Sequence, residues 1–362
     1  MTRTILGAAT AVVLTASMGL AADKVVHVYN WSDYIDEEIL ADFEKETGIK
    51  VVYDVFDSND VLETKLLAGS SGYDVVVPSG TFLQRQIQAG VFMPLDASKL
   101  TNMGNMWDMV QDRTARFDPG GKHAVNYMWG TTGIGYNVDA VKARLGTDKI
   151  ESWSVIFDPE TLAKFSDCGV HMLDAADEII PAALNYLGLP PDSQDPDLIA
   201  EAGELLQKIR PHVTNFNSSA YINALADGDA CLAVGWSGDV LQARDRAAEA
   251  ENGVSVEYAI PGEGALMWFD MLAIPKDAPH PENAHIFINY IMRPDVMAKA
   301  SNYVYYANGN KASQPLLEAD VIGDPAIYPT EAAMKNLYVT SPYAPRVQRV
   351  VTRIWTRVKT GN

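Results

Sequence analysis

The sequence predicts an α/β protein that is two-lobed, with a hinge of extended crossing segments and a cleft between the lobes. Three observations support this prediction. The chain has 362 residues, enough for two domains that each bury a core. Strand-like and helix-like segments alternate from the N-terminus. The alternation starts again after a glycine-rich extended stretch at 128–137, which indicates a chain that leaves one lobe and builds another.

The first lobe begins with a strand, a short polar stretch and a helix. Val26 and Val28 alternate in the strand, and three acidic residues at 36–38 suit the positive end of the helix dipole. The stretch between them, 29–34, reads Tyr-Asn-Trp-Ser-Asp-Tyr. A strand that ends toward a helix start is where an open α/β sheet binds ligands. We therefore expect a binding site here; the alternative is a loop whose Trp packs on the core and whose Ser or Asp caps the helix.

The next elements continue the same alternation. Strands are predicted at 51–56 and 74–79, and helices at 61–68 and 82–89. This order implies parallel strands joined by right-handed crossovers. Because the carboxyl ends of parallel strands meet at one edge of a sheet, Ser79 and Thr81 are expected beside Trp31.

Beyond 128–137 the pattern starts again with new segments. Strands are predicted at 168–173 and 230–236, helices at 178–187, 198–209 and 283–292, and further extended crossings at 254–260, 266–274 and 303–307. Lobe 1 is therefore predicted to comprise 22–131 plus about 258–303. Lobe 2 is predicted to comprise 132–257 plus about 304–362.

The N-terminus and the overall charge indicate export. Arg3 precedes an apolar, small-residue segment that ends in Gly-Leu-Ala at 19–21, which predicts a signal peptide at 1–21 and a periplasmic protein. A retained N-terminal anchor is the alternative. The formal net charge is −19, from 28 Lys and Arg against 47 Asp and Glu, so the surface repels nucleic acid and anionic membranes.

Features that mark common enzymes are missing from the sequence. There is no phosphate-binding loop and no dinucleotide fingerprint, and the six histidines lack metal-ligand spacing. The stretch Gly-Trp-Ser-Gly-Asp at 235–239 lacks the second glycine of a nucleophile elbow, since Asp239 stands there. The sequence thus predicts no catalytic residue, no metal and no cofactor. An exported hydrolase remains a minor alternative.

Instead, aromatic residues recur beside carboxylates at predicted strand ends and crossings. The pairs are Trp31 and Tyr34 with Asp33, Trp236 with Asp239, and Trp268 with Asp270, while Tyr306 and Glu178 stand near further strand ends. Aromatic faces attract cations, and carboxylates neutralise them. An aliphatic amine is charged at neutral pH, so burying a diamine requires a carboxylate at each end. Core packing is the alternative for each Trp taken singly.

These residues lie within a longer series of motifs that resembles the periplasmic polyamine-binding proteins of ABC transporters, nearest to the putrescine-binding branch. The resemblance covers nearly the whole chain. Its markers are Tyr-Asn-Trp-Ser-Asp-Tyr-Ile (29–35), Phe-Glu-Lys-Glu-Thr-Gly-Ile-Lys-Val (43–51), Tyr-Asp-Val-Val-Val-Pro-Ser (73–79), Gly-Ile-Gly-Tyr-Asn (133–137), Gly-Trp-Ser-Gly-Asp (235–239), Phe-Asp (269–270) and Tyr-Tyr-Ala-Asn (305–308).

The resemblance implies a type II periplasmic binding protein fold that closes on a linear polyamine. Ring walls would come from Trp31, Tyr34, Trp236, Trp268 and Tyr306. One ammonium group would be held by Ser32, Asp239 and Asp270, and the other end by Asp33, Glu178 and Ser79. The implied partner is an ABC permease in the inner membrane, and we expect a monomer that binds no nucleic acid.

Two positions depart from the putrescine pattern. Trp268 stands where putrescine binders often have Phe, and Thr81 replaces a smaller Ser, which bears on the width of the slot. A Trp could favour spermidine, whereas the charge of Asp239 favours putrescine. We expect putrescine first and spermidine next. A receptor that senses another cationic solute is the alternative function.

Cys168 and Cys231 are the only cysteines of the chain. In an oxidising compartment an isolated pair favours a disulfide, although two buried free thiols are also possible. The family resemblance implies that these two positions are paired.

Overall fold

A mixed sheet of ten strands runs through residues 24–361, the part of the chain that this computed structural model describes. The predicted signal peptide lies outside the described residues. The strands are β1 (Val25–Trp31), β2 (Lys50–Phe56), β3 (Val75–Val76), β4 (Ala124–Asn137), β5 (Val170–Met172), β6 (Asn215–Phe216), β7 (Leu232–Trp236), β8 (Val256–Ala259), β9 (Leu266–Ala273) and β10 (Ala307–Asn308). Their order is β2-β1-β3-β9-β4-β7-β5-β6, and β8 and β10 also pair with β4.

Helices pack along this sheet. They are α1 (Glu37–Thr47), α2 (Asn59–Ala68), α3 (Gly80–Gln88), α4 (Asp108–Thr114), α5 (Val138–Leu145), α6 (Ser154–Phe157), α7 (Pro159–Leu162), α8 (Ala176–Tyr186), α9 (Pro196–Ile209), α10 (Ala220–Asp227), α11 (Ser237–Glu249), α12 (Pro281–Ile291), α13 (Pro294–Val304), α14 (Ala319–Ile322), α15 (Glu331–Met334) and α16 (Pro345–Thr360).

The N-terminal strands and helices confirm the predicted order. β1 pairs in parallel with both β2 and β3. Asp36 caps α1 by accepting a hydrogen bond from the Glu38 amide at 2.9 Å, and Gly48 ends the helix in the left-handed region at φ 69°. Ser58 caps α2 through the Val61 amide. These caps hold each helix start just beyond a strand end, which is where polar side chains converge.

The long strand β4 connects the two halves of the sheet. Its first part pairs with β9 and β10, and its second part pairs with β7, β8 and the start of β9. The extended segments predicted at 128–137 and 266–274 are confirmed as strands, and their role as crossings between lobes stays a prediction. The crossing predicted at 303–307 is mostly wrong, since α13 continues to Val304 and the strand that follows is only β10.

Buried apolar residues form two clusters on the sheet. The first surrounds β1 and β3 and includes Phe43 and Phe287, and the second surrounds β5 and β7 and includes Trp153 and Leu206. Buried residues between 304 and 327 belong to the first cluster, although the sequence assigned this stretch to lobe 2. The lobe boundaries therefore stay a prediction. α16 was not predicted, although its buried face has clear helical spacing: Val347, Val351, Trp355 and Val358.

No helix within 24–361 combines the length and the apolar character needed to cross a bilayer.

Cys168 and Cys231 form a disulfide, with their Cα atoms 5.6 Å apart. The bond ties the segment before β5 to the segment before β7, two neighbouring parallel strands of the second cluster. The pairing expected from the sequence is confirmed.

Replacing both cysteines tests how much this bond contributes. We expect Cys168→Ser/Cys231→Ser to lower the free energy of unfolding by about 3–4 kcal/mol, because the bond closes a loop across 63 positions of sequence. Urea unfolding of the variant and of the oxidised protein measures the difference, and the reduced wild type should match the variant. Equal midpoints for the variant and the oxidised protein would contradict the expectation.

Candidate functional site

A narrow slot opens where the two apolar clusters meet. Most of the predicted site residues line it: Trp31, Ser32, Asp33, Tyr34, Ser79, Glu178, Trp236, Asp239, Trp268, Asp270 and Tyr306. Its volume is ≈ 40 Å³, where roughly 10–15 Å³ suffices for one water molecule, so the slot is a thin channel. Thr81 does not line it. That side chain faces two neighbouring cavities instead.

Aromatic rings from both halves of the sheet form the walls of the slot. Trp31, at the end of β1, meets Trp236, at the end of β7, with ring centroids 5.5 Å apart and planes at 76°. Tyr306 lies edge-on to Tyr34 at 5.3 Å and to Trp268 at 5.2 Å. Such edge-to-face pairs add specific attraction to the area they bury. Aromatic faces therefore surround any chain-like ligand that enters the slot.

Two glycines make this ring packing possible. A Cβ at Gly238 would come within 2.5 Å of the Tyr306 ring, and one at Gly130 would come within 2.7 Å of the Trp268 ring. Both distances are shorter than side chains tolerate. The glycines beside the predicted aromatic motifs thus allow the rings to approach the backbone.

Asp270 lies at the bottom of one end of the slot and is only 4% exposed. It accepts hydrogen bonds from the Tyr34 hydroxyl at 2.8 Å and the Ser79 hydroxyl at 2.6 Å. These donors favour the charged form, yet burial dominates and raises the pKa of Asp270 to about 7. Ser79 therefore contacts Asp270, whereas the sequence analysis grouped it with Asp33 and Glu178 at the other end of the ligand.

Asp239 contributes a second acid from the first turn of α11. It is 7% exposed and accepts hydrogen bonds at 2.7 Å from the hydroxyls of Tyr306 and Tyr221. Burial raises the pKa of Asp239 to about 6, against the stabilising effect of both hydroxyls. The charge of Asp239 also contributes to the raised pKa of Asp270, so the two acids act on one another.

Glu178, in the first turn of α8, is the third acid of the slot. The Trp236 indole N–H donates to its two carboxylate oxygens at 3.0 Å, and the Thr132 hydroxyl donates as well. Burial, followed by the nearby charge of Asp177, raises the pKa of Glu178 well above its usual range.

These three acids share one electrostatic property. Hydroxyl and indole groups hydrogen-bond to them, and across residues 24–361 no Lys or Arg forms an ion pair with any of the three. Uncompensated buried carboxylates are unfavourable when ionised. A cation bound in the slot would therefore stabilise the folded protein. Its lining contains neither His nor Cys, the side chains that transition metals prefer.

Asp33 lies at the mouth of the slot and already has a charged partner. Its backbone has a φ of 52°, and its carboxylate is 3.0 Å from the Arg246 guanidinium on α11. The Gln242 amide donates to the Asp33 carbonyl oxygen. Asp33 thus links the end of β1 to α11 across the mouth, and its predicted contact with an ammonium group stays a prediction.

Some residues of the slot were missed by the sequence analysis. They are Phe56, Asp57, Ser218, Ser219 and Ile222, which line it, and Tyr221 and Thr132, which hydrogen-bond to its acids. The strand-end rule could have found the first four, because they end or follow β2 and β6, two strands whose carboxyl ends both face the slot. No local pattern marks Tyr221 or Thr132 as a partner of an acid.

Comparison with known sequences identifies the family. The profile of the bacterial extracellular solute-binding proteins matches residues 38–330. This chain belongs to that family. It is 53% identical over 348 residues to a putrescine-binding periplasmic protein of Pseudomonas aeruginosa, covering 96% of this chain and 95% of the relative. Identity to a putrescine-binding periplasmic protein of Escherichia coli is also 53%, over 352 residues and the same shares of each chain.

Solved structures of the family share the fold. A putative spermidine/putrescine ABC transporter protein from Listeria monocytogenes matches with a TM-score of 0.83 and 32% identity, covering 94% of this chain and 100% of that chain. A spermidine/putrescine substrate-binding protein from Streptococcus pneumoniae matches with a TM-score of 0.77 and 29% identity, covering 93% and 99%. The periplasmic binding protein fold expected from the sequence is confirmed.

The raised pKa values predict a pH dependence of stability. A carboxyl group whose pKa is raised on folding holds its proton longer in the folded state, so its contribution to stability declines as pH rises from about 4 toward about 7. Asp239→Asn/Asp270→Asn removes both groups. From pH 4 to pH 8 we expect the variant to gain several kcal/mol over the ligand-free wild type, since each pKa unit corresponds to about 1.4 kcal/mol.

Urea unfolding of both proteins across this pH range measures the difference. Subtracting the two curves removes the titration of all other groups that the proteins share. A difference that does not change with pH would show that the carboxyl groups are hydrated in the ligand-free protein, contrary to the pKa values above.

Proposed function

We propose that this protein is a periplasmic receptor that captures a linear polyamine in the slot and delivers it to an ABC permease of the inner membrane. Putrescine is the favoured ligand and spermidine the next. Two relatives support this assignment. Both are named putrescine-binding periplasmic proteins, and both match nearly the full length of this chain. The protein binds its ligand without breaking a bond, and the mature chain acts after export.

The observation that carries the proposal is a set of buried acids that form no ion pair with any Lys or Arg in the described part of the chain. Asp239 and Asp270 lie beside one another among rings, and Glu178 adds a third carboxyl group in the same slot. A diamine brings two positive charges and an apolar chain between them. Its charges replace the protons that burial otherwise keeps on the acids, and its methylene groups pack on the rings.

The geometry suggests how each end is held. One ammonium group is bound between Asp239 and Asp270, which the hydroxyls of Tyr34 and Tyr306 hold in place. The other ammonium group is bound by Glu178, which the Trp236 indole and the Thr132 hydroxyl orient. Both ends thus meet a carboxylate that is already fixed by neutral donors.

Ligand binding is coupled to a change from an open to a closed arrangement of the slot. Trp31 and Trp236 meet across it, and Asp33 pairs with Arg246 at its mouth. These contacts join side chains from the ends of β1 and β7 and from α11. A ligand that touches both sides favours the closed arrangement over an open one, because it makes its full set of contacts only there.

Removing one buried acid tests the site. We expect Asp270→Asn to weaken putrescine binding by about 2–5 kcal/mol, because one ammonium group then lacks its carboxylate. Isothermal titration calorimetry measures the change. Asp112→Asn is the matched control, since Asp112 is an exposed residue of α4 that does not line the slot. Unchanged affinity in Asp270→Asn, together with a normal control, would remove the site assignment.

A thermal panel tests the ligand class. A ligand at 100 times its dissociation constant should stabilise the folded protein by about 2.7 kcal/mol. We expect the unfolding temperature to rise with putrescine and spermidine, to rise less with a monoamine of similar length, and not to change with a neutral diol. Stabilisation by the diol as strong as by putrescine would overturn the cationic ligand. Turnover of any panel member would point to an enzyme.

A further inference from the structure

Two histidines and an aspartate come together at the amino-terminal edge of the first strands, away from the slot. His27 lies near the start of β1, Asp74 immediately precedes β3, and His280 immediately precedes α12. One nitrogen of each imidazole and one carboxylate oxygen of Asp74 all lie within 4.8 Å of one another. None of the three residues lines the slot, so the proposed function does not use them.

Asp74 is a buried carboxylate with few charged neighbours. Its side chain is completely buried and accepts hydrogen bonds from the backbone amides of His27 at 2.8 Å and His280 at 2.5 Å. The imidazole of His280 is the group within ion-pair distance, at 3.1 Å, and no Lys or Arg of 24–361 reaches the carboxylate. A buried carboxylate in such a setting is a strong ligand for a cation.

Nitrogens of both imidazoles lie within 4.8 Å of the same Asp74 oxygen. The two rings stack, with an interplanar angle of 17° and centroids 5.8 Å apart, so one of them has to rotate before both nitrogens point at a shared ion. Within the described chain no group hydrogen-bonds to the ring nitrogens of His27, and both side chains are partly open to solvent. The unpaired ring nitrogens of His27, together with the His280 imidazole and a fixed carboxylate oxygen, form a donor set that suits borderline metals such as Zn²⁺.

We propose that His27, Asp74 and His280 form a binding site for a divalent transition metal, with Zn²⁺ as the ion that the donor set fits best. Zinc holds nitrogen at about 2.0–2.1 Å and oxygen at about 2.0–2.2 Å, so tetrahedral ligand atoms lie roughly 3.3 Å apart. The partly exposed His27 side chain can rotate to close the remaining gap. Solvent access on that side leaves the fourth position to water.

The site would join three parts of the chain that are distant in sequence. Asp74 is 47 positions from His27, and His280 is a further 206 positions along. A metal ion here would fasten β1, β3 and α12 within the first apolar cluster. Its effect is therefore on the stability of that cluster, whereas polyamine binding in the slot should not depend on it.

Calorimetric titration with Zn²⁺ tests the proposal on the protein purified without an affinity tag and treated with a chelator. We expect binding of one Zn²⁺ per chain. His27→Asn should weaken that binding by about 100-fold or more, beyond the roughly 10–100-fold that loss of an outer-shell partner costs. This residue is chosen because its ring makes no hydrogen bond that folding requires. Zn²⁺ should also raise the unfolding temperature of the wild type and not that of His27→Asn.

His123→Asn is the matched control. His123 also pairs with a buried aspartate, Asp118, at 2.9 Å, but no second histidine joins them. The control should bind Zn²⁺ as the wild type does, and both variants should bind putrescine normally. Absence of stoichiometric Zn²⁺ binding by the wild type, or equal affinity in His27→Asn, would overturn the proposal and leave the cluster as a hydrogen-bonded cap of α12.

Discussion

Buried carboxyl groups that form no ion pair with any Lys or Arg of residues 24–361 line a narrow slot, and they impose a constraint on the rest of the structure. Asp239 and Asp270 both line the slot, and within residues 24–361 only hydroxyl groups hydrogen-bond to their carboxylates. Such groups are stable either with their protons or with a cation in the protons' place. Rings on both walls limit the water that can solvate the charges, so the shape of the slot and the charge of its ligand follow from the same electrostatic condition.

The fold satisfies this condition by distributing the site over distant parts of the chain. β1 and β7 end at the slot, β9 crosses it with Asp270, and the first turns of α8 and α11 bring Glu178 and Asp239. Because these elements belong to two apolar clusters, the slot is complete only when the clusters are close. Under the proposed function, ligand binding and closure of the slot are therefore expected to be two aspects of one equilibrium.

Much of the slot could be predicted from the sequence, because strand ends of a parallel sheet converge at one edge. Trp31 and Ser79 follow from that rule, and the recurring aromatic and acidic pairs point to Asp239 and Asp270. Thr81 is a useful exception. It lies in the first turn of α3, where each residue rotates by about 100°, so a side chain two positions past Ser79 faces another cavity.

Contacts between distant elements could not be predicted in the same way. Tyr221 reaches Asp239 from α10, and no spacing in the sequence marks that hydrogen bond. His27 and Asp74 become neighbours through the parallel register of β1 and β3, in which Val28 faces Val75. His280 joins them only because α12 packs on β1, which is a property of the tertiary structure.

Counting the protons that leave when the ligand binds tests the central claim most directly. Putrescine is titrated calorimetrically at pH 6 in buffers that differ in ionisation enthalpy, and the slope of the observed enthalpy gives the number of protons exchanged. Since burial raises the pKa of Asp239 to about 6 and that of Asp270 to about 7, the account predicts a net release of roughly one proton or more per ligand bound. No release, or net uptake, would contradict the claim that a cation takes the place of protons on these acids.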